Sequence, residues 1–288
     1  MLVERAPAKI NLTLLVKGRR LDGYHELASL VAFTGAGDLV RLAPGPALSL
    51  DVDGPTAAAA GDMDGNLVTK AAREFAARTP GAVLGAFHLT KRLPVAAGVG
   101  GGSSDAAAAL RLLARANDIP LDDPRLLEAA RNIGSDVPVC LDARARAMLG
   151  AGETLGPPLK LPPLFAVLVN PGVAVATPAV FARMGLKPGE SHGFGAHPEF
   201  HDNMGFDALI EALRKGGNDM EDAAIVEAPV VAHVLAVIAA ARGCKVARMS
   251  GSGATCFGLF ATCAGAAKAA RVIRRDHAAW WAKATVLR

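Results

Sequence analysis

The sequence predicts an α+β protein of two unequal lobes, and three observations carry that prediction. The first part of the chain is a cluster of short β-rich runs. The middle holds a glycine-rich turn that feeds an alanine-rich helix. A proline-rich connector at 156–163 then precedes a fresh succession of strands and helices. At 288 residues the chain is long enough for one large or two medium domains. The connector sets the division, giving expected lobes of 1–160 and 161–288.

The early runs, 10–16, 26–33, 39–42 and 48–52, are each bounded by Gly, Pro or Asp and read as strands. Asn66 caps an amphipathic segment that ends at Arg78, a strand covers 85–89, and the glycine turn opens a helix over 103–117. Another helix follows at 124–132. Gly134 to Pro138 breaks it, and 139–141 and 147–149 read as extended. Behind the connector come a buried strand at 165–169, a helix at 178–184 and a loop rich in Gly, Pro and His over 185–203. Helices are expected at 204–214, 219–227 and 229–242. Strands at 245–249 and 255–260 flank a glycine turn, and a last helix leads into a short strand at 285–287.

Composition narrows the class. Hydrophobic residues make up 51% and charged residues 20%, which excludes disorder, while aromatics at 5% imply packing by Ala, Val and Leu. The net charge of +4 is too small and too dispersed to indicate a nucleic-acid partner, although it suits anionic ligands. Four cysteines, at 140, 244, 256 and 263, show no C-x-x-C spacing and read as reduced thiols of a cytoplasmic protein. Residues 1–5 lack a signal-peptide profile, and no apolar run reaches about 18 residues, so no membrane partner is expected. His192, His197 and His201 match no zinc spacing.

The most informative stretch is Gly98-Val99-Gly100-Gly101-Gly102-Ser103-Ser104-Asp105, running into Ala106 to Leu110. Glycines let the backbone curl with positive φ and let an anion approach the amides, while a new helix offers unpaired N–H groups and the positive end of its dipole. A Walker A loop would need Lys and then Ser or Thr after the last glycine, and a Rossmann fingerprint would lie in the first strand-to-helix turn. Taken alone, the stretch is either a phosphate site or a glycine-rich helix start capped by Ser or Asp.

Other candidates are also ambiguous singly. Lys9 is the one charge in Pro7-Ala8-Lys9-Ile10-Asn11-Leu12, placed either to neutralise a phosphate or to edge a strand. Asp136 is a general base or a turn aspartate. Ser250 to Thr255 is a second glycine turn. Tyr24, the one tyrosine, follows Asp22-Gly23 and precedes His25, as a stacking platform for a base or as a rim aromatic. The Trp280-Trp281 pair reads as hydrophobic packing.

In order along the chain, Pro7 to Leu12, Pro94 to Ala108 and Met249 to Thr255 resemble the three motifs of the GHMP small-molecule kinases. The similarity tightens at Arg20-Leu21-Asp22-Gly23-Tyr24-His25-Glu26-Leu27, Gly134-Ser135-Asp136-Val137-Pro138 and Asn218-Asp219-Met220-Glu221. It spans nearly the whole chain and is weakest at 185–215.

The resemblance implies a ribosomal-S5-domain-2-like N-terminal lobe and a ferredoxin-like C-terminal lobe, with ATP and acceptor in the cleft between them. The implied reaction is Mg²⁺-assisted, ATP-dependent phosphorylation of the 2-hydroxyl of a cytidine diphosphate-linked methylerythritol, in the non-mevalonate route to isoprenoid precursors, by a monomer or homodimer. Carried over residue by residue, Asp136 matches the catalytic base and Lys9 its partner. Pro94, Gly98, Gly100, Gly101, Gly102, Ser103 and Ser104 match the ATP phosphate grip, with Gly251, Ser252 and Gly253 closing on the same phosphates. Asn66 and Leu67 match positions near the adenine. Asn11, Tyr24 and His25 match acceptor contacts, and Thr177, Pro178 and Phe181 fall where the second lobe meets the cytidine. Val99 stands where leucine is usual and Ser135 where alanine is usual. The resemblance leaves the Mg²⁺ ligand open between Asp105, Ser104 and the phosphates themselves. Mevalonate- or homoserine-type kinases are the neighbouring alternatives, and a non-catalytic ligand sensor of the same fold would need neither Lys9 nor Asp136.

Overall fold

A computed structural model describes residues 1–191 and 196–288. It is a mixed α+β structure of two compact units that interleave along the chain. One comprises 1–9, 37–95 and 100–143, the other 10–36, 96–99 and 144–288.

Strands β1 (Leu2–Arg19) and β2 (His25–Ala43) each contribute to both units. The runs expected at 26–33 and 39–42 are one continuous strand. Gly37, which suggested a turn, instead permits close approach, because a Cβ there would lie 2.8 Å from Pro7 Cα.

In the first unit, β3 (Ser49–Asp53) pairs in parallel with β4 (Ala86–Thr90), and β4 pairs antiparallel with the end of β2, from Leu39↔Thr90 to Ala43↔Ala86. Helix α1 (Leu67–Arg78) begins where Asn66 Oδ1 accepts from Val68 N at 3.0 Å, a cap worth about 1 kcal/mol. Helix α2 (Gly101–Ala116) is buried without a break from Ser104 to Ala114, and its run of alanines lets α1 and α4 pack close against it. Helix α3 (Pro124–Ile133) starts on an Asp123 cap with Pro124 in its first turn.

The segment expected as extended at 139–141 is helical, in α4 (Val137–Asp142). A short apolar run does not distinguish strand from buried helix by periodicity, and Pro138 suits a first helical turn, where its missing N–H costs nothing.

The second unit is built on antiparallel strands β7 (Leu164–Asn170), β8 (Cys244–Met249), β9 (Cys256–Phe260) and β10 (Trp281–Leu287), in the order β10-β7-β9-β8. Trp281↔Asn170 through Leu287↔Leu164 fixes one register, and Phe165↔Phe260 through Val169↔Cys256 the next. Strand β5 (Arg146–Gly150) pairs with the start of β2 and with β6 (Thr154–Pro158), which the prolines of the expected connector had disguised. Proline is tolerated in an edge strand, and β6 takes up 156–158 of the proline-rich stretch while 159–163 lies outside any strand.

Helices α5 (Thr177–Met184), α6 (Phe206–Lys215), α7 (Glu221–Glu227), α8 (Val230–Ala240) and α9 (Cys263–Asp276) complete this unit. Val167, Val169, Val234, Ile238, Phe260 and Ile273 are among its core. Gly258 lets Ile238 sit directly on β9, since a Cβ at 258 would overlap Ile238 Cγ2. No helix among the described residues is long and apolar enough to cross a membrane.

Candidate active site

The chemistry-bearing side chains of the first unit gather at the N-terminus of α2. Gly100 caps that helix with φ +60, the left-handed conformation that glycine adopts without steric cost. A Cβ there would lie 3.2 Å from Lys9 Cβ, so the loop runs directly over the lysine stem. Lys9 is 4% exposed, and its Nζ lies 2.8 Å from Oδ2 of Asp136, the residue at the N-cap of α4. Asp136 is 33% exposed, which leaves its carboxylate open to a reactant. Both residues singled out from the sequence as base and partner are thus in direct contact.

Gly102 lies beside Leu67, 3.3 Å from a Cβ position to Leu67 Cδ1, which brings an expected adenine-side residue to the glycine loop. Asn66 is buried at the cap of α1, and Pro94 lies in the turn that follows β4. Ser103 is partly exposed, whereas Ser104 is buried and its Oγ donates to Pro7 O at 2.6 Å. The hydroxyl proton of Ser104 is therefore used within the protein. Its Oγ also lies 3.4 Å from Cys140 Sγ, and burial pushes that thiol up to about 12.

Beneath Gly101 lies a charged cluster that sequence reasoning did not find as a unit. Lys91 Nζ lies 2.5 Å from Asp38 Oδ2 and 2.7 Å from Asp105 Oδ2, with all three residues buried. Asp38 Oδ1 accepts from the backbone N–H of Arg92 and Leu93 at 2.5 and 2.8 Å. Asp105 Oδ1 has no hydrogen-bond partner among the described residues. Burial raises the Asp105 carboxyl to about 7 against the opposing pull of Lys91. Burial also lowers the Lys91 ammonium, but its two carboxylates outweigh that and the net shift is upward. The signal missed was long-range: Asp38 is far from Lys91 and Asp105 in sequence and looks like a strand aspartate.

In the second unit, Gly98 has φ +72, and a Cβ there would lie 2.8 Å from Gly253 O. The first glycine of the loop is packed on the β8–β9 turn, and Ser250 Oγ donates to Gly98 O at 2.9 Å. Gly251 and Gly253 also have positive φ, and Ser252 Oγ lies 2.7 Å from Thr177 Oγ1 at the start of α5. Asn11 is buried, donates through Nδ2 to Ser29 Oγ at 2.8 Å, and leaves Oδ1 unpartnered among the described residues.

His25 stacks on Phe181, with ring centroids 3.9 Å apart and planes inclined by 8°. Burial, aided by the nearby Arg19 charge, lowers the His25 imidazolium. Tyr24 is 62% exposed, and Pro178 sits in the first turn of α5. His197 lies 2.8 Å by Nε2 from Thr13 Oγ1, His201 is exposed, and His192 lies outside the described residues.

A buried lysine is paired with an accessible carboxylate beside a glycine-bracketed helix N-terminus, a set of groups compatible with phosphoryl transfer. Two family profiles match the chain, the GHMP kinases N-terminal domain over 66–144 and the GHMP kinases C-terminal over 196–279. A relative from Xanthobacter autotrophicus named 4-diphosphocytidyl-2-C-methyl-D-erythritol kinase is 58% identical over 99% of this chain and 98% of its own length. A relative of the same name from Methylobacterium radiotolerans is 55% identical over 100% of this chain and 99% of its own.

Among solved structures, that of a 4-(cytidine 5'-diphospho)-2C-methyl-D-erythritol kinase aligns with a TM-score of 0.76 at 34% identity, covering 99% of each chain. A homoserine kinase from Cytophaga hutchinsonii aligns at 0.63 and 18% identity, over 99% of this chain and 93% of its own, and shares the fold. The chain belongs to the GHMP kinase family, within the group of its 4-diphosphocytidyl-2-C-methyl-D-erythritol kinase relatives. It is an ATP-dependent small-molecule phosphotransferase.

Proposed function

We propose that this chain transfers the γ-phosphoryl group of ATP to the 2-hydroxyl of 4-diphosphocytidyl-2-C-methyl-D-erythritol, in the cytoplasm, as a step toward isoprenoid precursors. The observation that carries the mechanism is the 2.8 Å contact between buried Lys9 and accessible Asp136. Asp136 accepts the proton of the attacking hydroxyl as the new P–O bond forms. Lys9 holds the carboxylate in place and offsets charge that develops on the transferred group. The hydroxyl is tertiary and a poor nucleophile, so positioning and charge stabilisation supply most of the rate.

The amides of Gly98, Gly100, Gly101 and Gly102, with Ser103 and Ser104, grip the phosphates beside Pro94, and Gly251, Ser252 and Gly253 add a second set of amides. Asn66 and Leu67 flank the adenine. On the acceptor side, Tyr24, His25 and Phe181 supply aromatic faces for the cytosine, and Asn11, Thr177 and Pro178 complete the contacts. We divide the chain functionally into 1–160, with the first two motifs and Asp136, and 161–288, with the third.

Mg²⁺ neutralises the phosphate oxygens when it accompanies ATP. Among the described residues no group of three or more His, Cys, Asp or Glu is arranged to hold a metal. Asp105 Oδ2 faces Lys91 while its Oδ1 has no partner among the described residues, and Ser104 Oγ donates to Pro7 O but keeps its lone pairs. Asp105, Ser104 and the phosphates themselves are the groups that would hold Mg²⁺.

ADP release and ³¹P NMR on the purified enzyme with ATP and each of three acceptors tests this reading. The cytidyl-methylerythritol acceptor should be phosphorylated at its 2-hydroxyl with kcat/KM orders of magnitude above mevalonate and homoserine. Preference for either of the latter would overturn it.

A further inference from the structure

Arg111 lies on α2, two turns beyond the phosphate loop, 9% exposed and outside every motif of the family resemblance. Its guanidinium makes contacts to two other elements. Nε donates to Glu4 Oε2 at 3.2 Å, and one terminal nitrogen donates to Arg5 O at 2.9 Å, both on β1. The other terminal nitrogen donates to Cys140 O at 2.9 Å and to Leu141 O at 3.3 Å, in the last turn of α4. β1 is the strand that carries Lys9, and α4 is the helix that Asp136 caps.

Ser104 is seven positions earlier, on the same face of α2. It ties the same two elements nearer the site, through Pro7 O and Cys140 Sγ. A rigid guanidinium fork with several fixed acceptors sets direction as well as distance, which a lysine ammonium cannot do.

We propose that Arg111 is a positioning residue for phosphoryl transfer: from α2 it locks the strand of Lys9 and the helix of Asp136 in mutual register, so that the base faces the reacting hydroxyl. The proposal rests on the reading of Lys9 and Asp136 as the reacting pair. Arg111 itself touches neither substrate nor the pair. Its loss lets α4 slide against β1 by a fraction of an ångström, and a misplacement of about 1 Å at a reacting centre can cost about 100-fold in rate.

The test is a double-mutant cycle on the full chain with Arg111→Met, Arg111→Lys and Asp136→Asn, read as kcat and as KM for ATP and acceptor in single-turnover and steady-state assays. Arg111→Met should lower kcat by about 10- to 100-fold with both KM values within about threefold, and Arg111→Lys should recover part of the loss. In the Asp136→Asn background the same Arg111 substitution should cost little more, because the positioned base is already gone. If Arg111→Met does not fold, the cycle is run with Arg111→Lys.

Unchanged kcat, or a loss that multiplies in full through the Asp136→Asn background, overturns the proposal. Near-normal turnover by Asp136→Asn alone instead overturns the reading beneath it, and the two failures are distinct.

Discussion

Lys9 and Asp136 are buried unequally: the ammonium is 4% exposed, the carboxylate it holds at 2.8 Å is 33% exposed. The cation is thus recessed and the carboxylate presented, an arrangement that suits the proton acceptance proposed for Asp136 better than a symmetrical surface ion pair would. Taking an ammonium out of water costs several kcal/mol in effective terms and the ion pair does no more than offset it, so a buried lysine such as Lys9 is weak evidence for a purely stabilising role.

The glycines of the loop at 98–102 should differ in their tolerance of a side chain. Gly98→Ala places a Cβ in left-handed backbone and against the carbonyl of Gly253, which cannot yield cheaply. Gly100→Ala meets the same backbone cost, about 1–2 kcal/mol, but only the lysine stem. Gly102→Ala meets the flexible Leu67 side chain in a helical position. Thermal melts should therefore rank the losses as 98 greatest, 100 intermediate and 102 least, and a loss at 102 that matched the one at 98 would contradict the loop geometry.

The stacked rings of His25 and Phe181 should matter to the acceptor and not to ATP. Stacking of a base on an aromatic face is worth about 1–3 kcal/mol, so Phe181→Ala should raise the acceptor KM by about 10- to 100-fold. The KM for ATP should stay within about twofold. Equal effects on both substrates would remove Phe181 from the acceptor site.

The buried Asp105 carboxyl predicts a pH-dependent stability difference. Its folded value of about 7 lies above the ordinary 3.8, so the native protein binds more protons than the unfolded chain between those values. That contribution is present below about 4 and is lost as pH rises through about 7. Asp105→Asn mimics the protonated form and removes the dependence. The melting temperature of the variant minus that of the parent should become more positive from pH 5 to pH 8, and a flat or falling difference would show that Lys91 keeps Asp105 ionised throughout.

Local chemistry was legible in the sequence wherever it set backbone shape. The Asn66 cap, the helix behind Gly100 and the glycine turn before Thr255 all appear where their residue types require them. Helix α4 was misjudged because a short apolar run has no period to read. Within the continuous β2 strand Gly37 lies against Ala6 and Pro7, a close approach between segments distant in sequence, and the Asp38–Lys91–Asp105 cluster likewise joins distant segments. Lys9 and Asp136 were each ambiguous alone. Their contact, which no spacing rule encodes, gives the pair its meaning.

The central claim is tested most directly by the turnover of Asp136→Asn with ATP and 4-diphosphocytidyl-2-C-methyl-D-erythritol. General base catalysis contributes about 10²–10⁴-fold, so kcat should fall by that factor while both KM values stay within a few-fold of the parent. A kcat within tenfold of the parent would contradict the assignment of Asp136 as the base.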